Sequence, residues 1–326
     1  MGKKSTQSPP KTSRYLVKLS EQLFEAETDR TTFLKCLDSP HPFAPTILWT
    51  KPKPATLSPE LTPLEPLPWQ PAFVDRLAIG TRPGQHPLHQ AGYFYCLDGS
   101  SVFAASVLGA IAEPISSVLD LCAAPGGKGL YSWVTLKPKV LLCNEVVQKR
   151  VKILIANLKR CGANQAKVLN QDSAVLAEHL PQSLDLVLVD APCSGQSLLA
   201  KGKKVPGCCH PVTLKRNANR QKRILANAAQ MVRPGGYLAY MTCTYAPQEN
   251  EQVCQWLLKT FPQFEPLVVP NLALYRSRLT ELPCYRLLPQ SGIGAGAFAM
   301  LLKNTESSQG QSLNEAFLER YGYILT

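Results

Sequence analysis

Two cysteines carry the strongest chemical signal in this sequence. Cys193 stands in Asp190-Ala191-Pro192-Cys193-Ser194-Gly195, and Cys243 in Thr242-Cys243-Thr244-Tyr245, with Gln248-Glu249-Asn250-Glu251 just behind. Each follows a short apolar run, 184–189 and 237–241. Taken alone, either cysteine reads first as a small buried hydrophobe. Taken together, at the ends of two strands that face one pocket with Asp190, they read as a nucleophile and its helper, because the thiolate is the reactive form.

Three further strand ends carry polar chemistry. After 117–121 comes Asp120-Leu121-Cys122-Ala123-Ala124-Pro125-Gly126-Gly127-Lys128. Its two glycines allow a tight turn and close approach of backbone to a ligand at a helix start. A dinucleotide loop would want three glycines as G-x-G-x-x-G. Only the pair is present, which favours a nucleoside with a short charged tail. Glu145, 25 residues past Asp120 after the run 140–144, can accept both hydroxyls of a ribose. Asn170-Gln171-Asp172, after 166–170, sets an acid where an adenine amino group could be read.

These positions require an ordered scaffold. The apolar runs alternate with helical stretches at 148–161 and 219–232. Strands this apolar, alternating with helices, predict a mostly parallel sheet covered on both faces, a Rossmann-like α/β fold. Ligands of such sheets bind beyond the carboxyl ends of the strands. Gly162-Ala163-Asn164 closes the first helix, and Pro234-Gly235-Gly236 is expected to turn the chain from the second into its strand. Glycines before the run 297–302 suggest a last strand at the sheet edge. Upstream, apolar residues between Arg14 and Leu37 suggest one or two amphipathic helices, and prolines across 39–71 suggest an irregular connector. The expected division is 1–13 as a basic disordered tail, 14–110 as a small α+β N-terminal region with a Pro-rich connector, 111–304 as the catalytic domain and 305–326 as a C-terminal segment.

The segments 120–128, 190–195 and 242–251 resemble those of the RsmB/Nop2/Sun family of RNA cytosine-C5 methyltransferases, in the family's order and spacing from about Gly92 to Lys303. The resemblance implies S-adenosylmethionine held by Cys122, Ala123, Ala124, Pro125, Gly126, Gly127, Lys128, Glu145, Asp172 and Asp190. It implies Cys243 as the nucleophile and Cys193 as the residue that helps release the product. A thiolate adding to carbon 6 of cytosine makes carbon 5 able to attack a methyl donor. Lys128 is a cation suited to favouring that thiolate, and Asp190 a group suited to the ring nitrogen at position 3. The target base has to leave its stack or lie in a single strand.

Composition agrees. Lys plus Arg number 35 against 23 Asp plus Glu, a balance of +12, which suits a partner rich in phosphate. No run approaches the roughly 20 apolar residues of a membrane span, and no secretory leader is expected. Eleven cysteines read as reduced thiols. Cys208-Cys209-His210 lacks the two-residue spacer of zinc sites, so no metal is expected. The segment 199–223 is unusually basic, and Leu97 stands where the family commonly has a polar residue. The reading is therefore a cytoplasmic, monomeric enzyme with 14–110 as its RNA-contacting region and rRNA as the favoured substrate, tRNA being the second candidate. Its rivals are a DNA cytosine-C5 methyltransferase using Pro192-Cys193, an RNA 2′-O-methyltransferase with a similar Gly-Gly loop, and a non-catalytic RNA-binding assembly factor.

Overall fold

A computed structural model describes residues 13–325; the expected basic tail lies almost wholly outside them. The chain opens with α1 (Arg14–Leu23) and α2 (Glu27–Asp38), followed by β1 (Thr46–Trp49), β2 (Val74–Arg76), α3 (Pro87–Gln90), β3 (Phe94–Leu97) and α4 (Gly99–Ala105). The central part runs β4 (Ser117–Asp120), α5 (Gly127–Leu136), β5 (Val140–Asn144), α6 (Gln148–Arg160), β6 (Lys167–Leu169), α7 (Ser173–His179) and β7 (Leu184–Asp190). It ends with α8 (Pro211–Met231), β8 (Val232–Thr242), α9 (Glu251–Thr260), β9 (Phe264–Pro266), β10 (Tyr285–Leu287), β11 (Ala297–Asn304), α10 (Glu315–Tyr321) and β12 (Tyr323–Ile324).

Among the described residues the large sheet has the order β10-β11-β8-β7-β4-β5-β6-β12, with β9 pairing off β11. The run from β8 to β6 is parallel, and β10, β11 and β12 join antiparallel. The strands are apolar on both sides because both sides are covered. One core holds Leu130, Leu154 and Leu158 from α5 and α6; the other holds Leu176, Leu225, Ala228, Val253 and Leu257 from α7, α8 and α9. The Rossmann-like α/β class is what the molecule has.

Beside it, β2-β1-β3 forms a small antiparallel sheet. Leu48, Val74 and Tyr95 from these strands sit in the same core as α5 and α6. The helical hairpin α1–α2 packs Leu16, Leu19, Phe33 and Leu37 against Tyr245, just past Cys243. Phe33 meets the Tyr245 ring edge-on with centroids 5.2 Å apart. The hairpin is therefore the back wall of the turn that carries Cys243.

Four expectations need correction. The strand at 297–302 is interior, flanked by β8 and by β9 and β10, and this explains why nearly every residue of it is buried. The glycine before it serves close packing: Gly296 has φ +121, and a Cβ there would lie 2.5 Å from the Tyr245 ring. The second helix begins at Pro211, eight residues before Asn219, because His210 accepts a hydrogen bond from Val212 N and proline at the first position needs no donor. Pro234-Gly235-Gly236 lies inside β8 as an irregularity in its pairing with β7. A Cβ on Gly236 would come within 3.0 Å of Leu184 and Asp185 carbonyls, so only glycine fits. Finally, the proline-rich stretch contains the regular strand β1, since its prolines flank the pairing residues.

Candidate active site

Beyond the carboxyl ends of β4, β5, β6, β7 and β8 lies a cavity of about 660 Å³. β7 and β8 are adjacent parallel strands, with Asp190 opposite Met241, so the turns after them leave the sheet side by side. This register brings Cys193 Sγ within 3.3 Å of Cys243 Sγ. Cys243 is solvent-accessible on the cavity floor, and Cys193 is less so.

The two turns are held rigidly. Ser194 Oγ and Thr244 Oγ1 are 2.7 Å apart, and Ser194 N donates to Glu249 Oε2 at 2.9 Å. Asn250 accepts from Thr242 Oγ1 at 2.6 Å and donates to the Thr244 carbonyl at 2.9 Å. Gln248-Glu249-Asn250-Glu251 is thus the bracket of the Cys243 turn. Burial pushes the Glu249 carboxyl above its ordinary range.

Lys128, at the start of α5, reaches Asp190 with Nζ 2.5 Å from Oδ2. Burial pulls the Lys128 ammonium down, but the Asp190 carboxylate outweighs it and holds the group above its usual value. The Cys243 thiol is lowered, first by the hydrogen bond from Cys193, with burial and Asp190 opposing and Lys128 assisting. The Cys193 thiol is raised well above its usual value by the same hydrogen bond and by burial. The arrangement suits a thiolate at Cys243 accepting from a thiol at Cys193.

That division sets a pH dependence. A lowered thiol stays ionised below the pH at which a free thiol has lost its charge. Cys243 should therefore be alkylated by iodoacetamide with a midpoint below the roughly 8.5 of a free cysteine. Cys193→Ala removes the donor, so the midpoint should move to higher pH. Mass spectrometry of the modified peptide reads both, and a wild-type midpoint at or above that of free cysteine would contradict the assignment.

The remaining groups form the other half of the cavity. Asp120, at the tip of β4, is fully buried, with its carboxylate toward the backbone N–H groups of Cys122 and Gly129. Burial, together with the Asp190 charge and against Lys128, pushes it up to about 7. Asp120 does not itself line the cavity; its charge acts on Lys128 and Asp190, which do. Glu145 Oε1 accepts from Val147 N at 2.8 Å, and Oε2 lies 2.9 Å from Arg150 Nη1. Asp172 caps α7, accepting from Ala174 N at 2.9 Å.

Cys122, Ala124, Lys128, Glu145, Asp172, Asp190, Cys193 and Cys243 all line this one cavity. Ala123, Pro125, Gly126 and Gly127 do not line it; they build the turn behind it. A Cβ on Gly127 would meet Leu97 at 2.5 Å, so that glycine is required by protein packing. Leu97 packs against the turn from the other side. Cys208 and Cys209 have their sulfurs 3.6 Å apart, and His210 is spent on the helix cap. Among the described residues no cluster of three or more His, Cys, Asp or Glu could hold a metal ion.

Sequence reasoning missed Asn144, whose side chain bonds the Leu121 carbonyl at 3.2 Å and Gln171 on both its carbonyl and amide at 3.0 Å, tying three strand ends together. It also missed Arg150, which bonds the Ala124 carbonyl, and Arg220 and Arg223 at the rim. Arg150 was legible in principle, one helical turn into a helix that begins just after Glu145.

Residues 111–303 match the family model "16S rRNA methyltransferase RsmB/F". The chain is 35% identical over 252 residues to the ribosomal RNA small subunit methyltransferase F of Pectobacterium carotovorum, covering 75% of this chain and 52% of that protein. It is 36% identical over 233 residues to the protein of that name from Vibrio parahaemolyticus, covering 70% and 48%. The chain thus spans about half the length of the curated relatives it matches. A methyltransferase homologue of Pyrococcus horikoshii superposes with a TM-score of 0.68 at 21% identity, over 90% of this chain and 100% of that one. A structure titled NSun6 from the same organism, with SFG, gives 0.68 at 18% identity, over 90% and 99%. These two are likenesses of fold.

Proposed function

This chain belongs to the 16S rRNA methyltransferase RsmB/F family, and from that premise we propose that it methylates carbon 5 of a cytosine in RNA through a covalent bond to Cys243. The observation that carries the reading is the pair of sulfurs 3.3 Å apart, facing the cavity that also holds the Lys128–Asp190 pair. The favoured substrate is rRNA, with tRNA as the alternative, and the enzyme works as a monomer in the cytoplasm. Among the described residues no helix is long and apolar enough to cross a membrane.

S-adenosylmethionine is the donor that the cavity suits: the acids Glu145 and Asp172, with Cys122 and Ala124, line the half away from the thiols and fit a nucleoside with polar hydroxyl and amino groups. When bound it supplies an electrophilic methyl group. Cys243 adds as a thiolate to carbon 6, making carbon 5 nucleophilic. Lys128 donates to Asp190, so that pair offers both a donor and an acceptor to the polar edge of the base. After carbon 5 has been methylated its proton passes to solvent water, which reaches the exposed Cys243; the pair left behind re-forms the carbon 5–carbon 6 double bond, and the carbon–sulfur pair returns to the Cys243 sulfur as the bond breaks. The neutral Cys193 thiol donates to the departing sulfur, which lowers the cost of that cleavage.

Among the described residues neither cavity beside Cys193 has an aromatic side chain in its lining. The base is then held by polar contacts and by its bond to sulfur, and not between rings. The test is a nucleoside digest of cytosine-containing rRNA and tRNA treated with the chain and donor. 5-Methylcytidine is the expected product; 2′-O-methylcytidine, or no product on either RNA, would overturn the reading.

A further inference from the structure

The chemistry above leaves the charge of α8 unused. Its 21 residues include Lys215, Arg216, Arg220, Lys222 and Arg223 and no acid at all. Arg216, Arg220 and Arg223, spaced four and three apart, share one face and span roughly 10 Å of helix. All three are exposed. Among the described residues none of them forms an ion pair, whereas Lys128, Arg150, Lys201, Arg233 and Arg286 all do.

The face is aimed at the thiols. Arg220 and Arg223 line the main cavity, and Arg216 and Arg220 line a second one of about 500 Å³ that adjoins it at Cys193 and Ser194. It is also held in register with them. Gln221 on the same helix donates to the Pro192 carbonyl at 3.1 Å and to Glu249 Oε2 at 2.9 Å, the carboxylate that anchors Ser194 N. Helix and Cys193 turn are one rigid unit.

Resting on the reading of the chain as an RNA methyltransferase, we propose that Arg216, Arg220 and Arg223 form a track for the ribose-phosphate backbone, on which the strand enters the site at the Cys193 side. Guanidiniums without a carboxylate partner bind phosphate bidentately; Arg220 donates one N–H to Asn217 Oδ1 at 2.9 Å, which fixes its direction and leaves the rest of its fork to phosphate. With no aromatic ring lining the second cavity, the track grips by charge and not by stacking, so its contribution is independent of base sequence.

The test titrates the full chain with short fluorescent single-stranded RNAs of several sequences, each with a cytosine, between about 50 and 200 mM salt. The variant is Arg216→Gln/Arg220→Gln/Arg223→Gln, with Lys215→Gln, about 100° round the helix, as control. Three lost phosphate contacts at about 0.7 each should flatten the slope of log affinity against log salt by about 2 for every sequence. At the lower salt, affinity should fall at least about tenfold, while Lys215→Gln keeps the wild-type slope. A melting curve and the Cys243 alkylation midpoint, both unchanged, establish that the triple variant is folded with its site intact. An unchanged slope, or a loss confined to one sequence, overturns the track and leaves the enzymatic reading standing. Salt-independent or absent RNA binding by the wild type removes both.

Discussion

Cys243→Ser should reduce methyl transfer by on the order of a thousandfold or more and abolish covalent protein–RNA complexes, whereas Cys193→Ser should make those complexes accumulate. Serine keeps the shape of the side chain, but its hydroxyl is far harder to ionise than a thiol that Cys193 and Lys128 already favour as thiolate. Losing a nucleophile outright removes most of an enzyme's rate enhancement. Cys193 acts on the other half of the cycle. In the proposed cycle its thiol, 3.3 Å from Cys243, donates to the sulfur on which the charge returns, so its loss should stall the chain with RNA attached. Denaturing gels read the complexes and product analysis reads the turnover. Complexes lost with Cys193 and kept without Cys243 would exchange the two roles.

The second large effect concerns stability. Arg286 on β10 and Glu251 at the head of α9 are both buried, joined by two hydrogen bonds of 2.6 and 2.5 Å. Arg286 also donates to the Tyr245 carbonyl at 2.9 Å, and Glu251 accepts from Ser277 Oγ at 2.6 Å. Removing either partner strands a charge in the interior, which costs about 3–5 kcal/mol. Arg286→Met and Glu251→Leu should therefore each lower the unfolding midpoint by several degrees. The double variant should recover much of the loss, because no charge is left uncompensated; the bonds to Tyr245 and Ser277 remain missing at about 1 kcal/mol each. Single variants that melt within a degree of wild type, or a double variant worse than the sum of the two, would show that the pair is not what holds this corner.

The parallel sheet was legible because each strand is apolar on both faces and each is followed at once by a polar motif. The same alternation made Cys193 and Cys243 legible: once their strands are neighbours, pleat and register oblige the two turns to meet. What escaped reading depends on partners distant in sequence. Nothing local marks Arg286 as the counter-ion of Glu251, or Asn144 as the tie among three strand ends. β11 looked like an edge because its glycines read as a loose turn, when they are where Tyr245 presses on the backbone. The arginine face was hidden by a wrong helix start. Beginning the helix at Asn219 leaves Arg216 in a loop, and only the His210–Pro211 cap puts all three guanidiniums on one face.

The hairpin behind Cys243 bears on the order in which the molecule is assembled. Tyr15 on α1 bonds Gln248 across 233 positions, and Ser100 bonds Gly296 across 196. Such contacts close very long loops, and closure of that kind comes late, after short-range pairing has reduced its entropic cost. During synthesis the helices α1 and α2 must wait, without the aromatic ring they enclose, until the whole stretch from β1 to the turn at Tyr245 has followed them. The Cys243 sulfur thus gains its final surroundings only when α1 and the turn it backs, 233 positions apart in the Tyr15–Gln248 bond, have found each other.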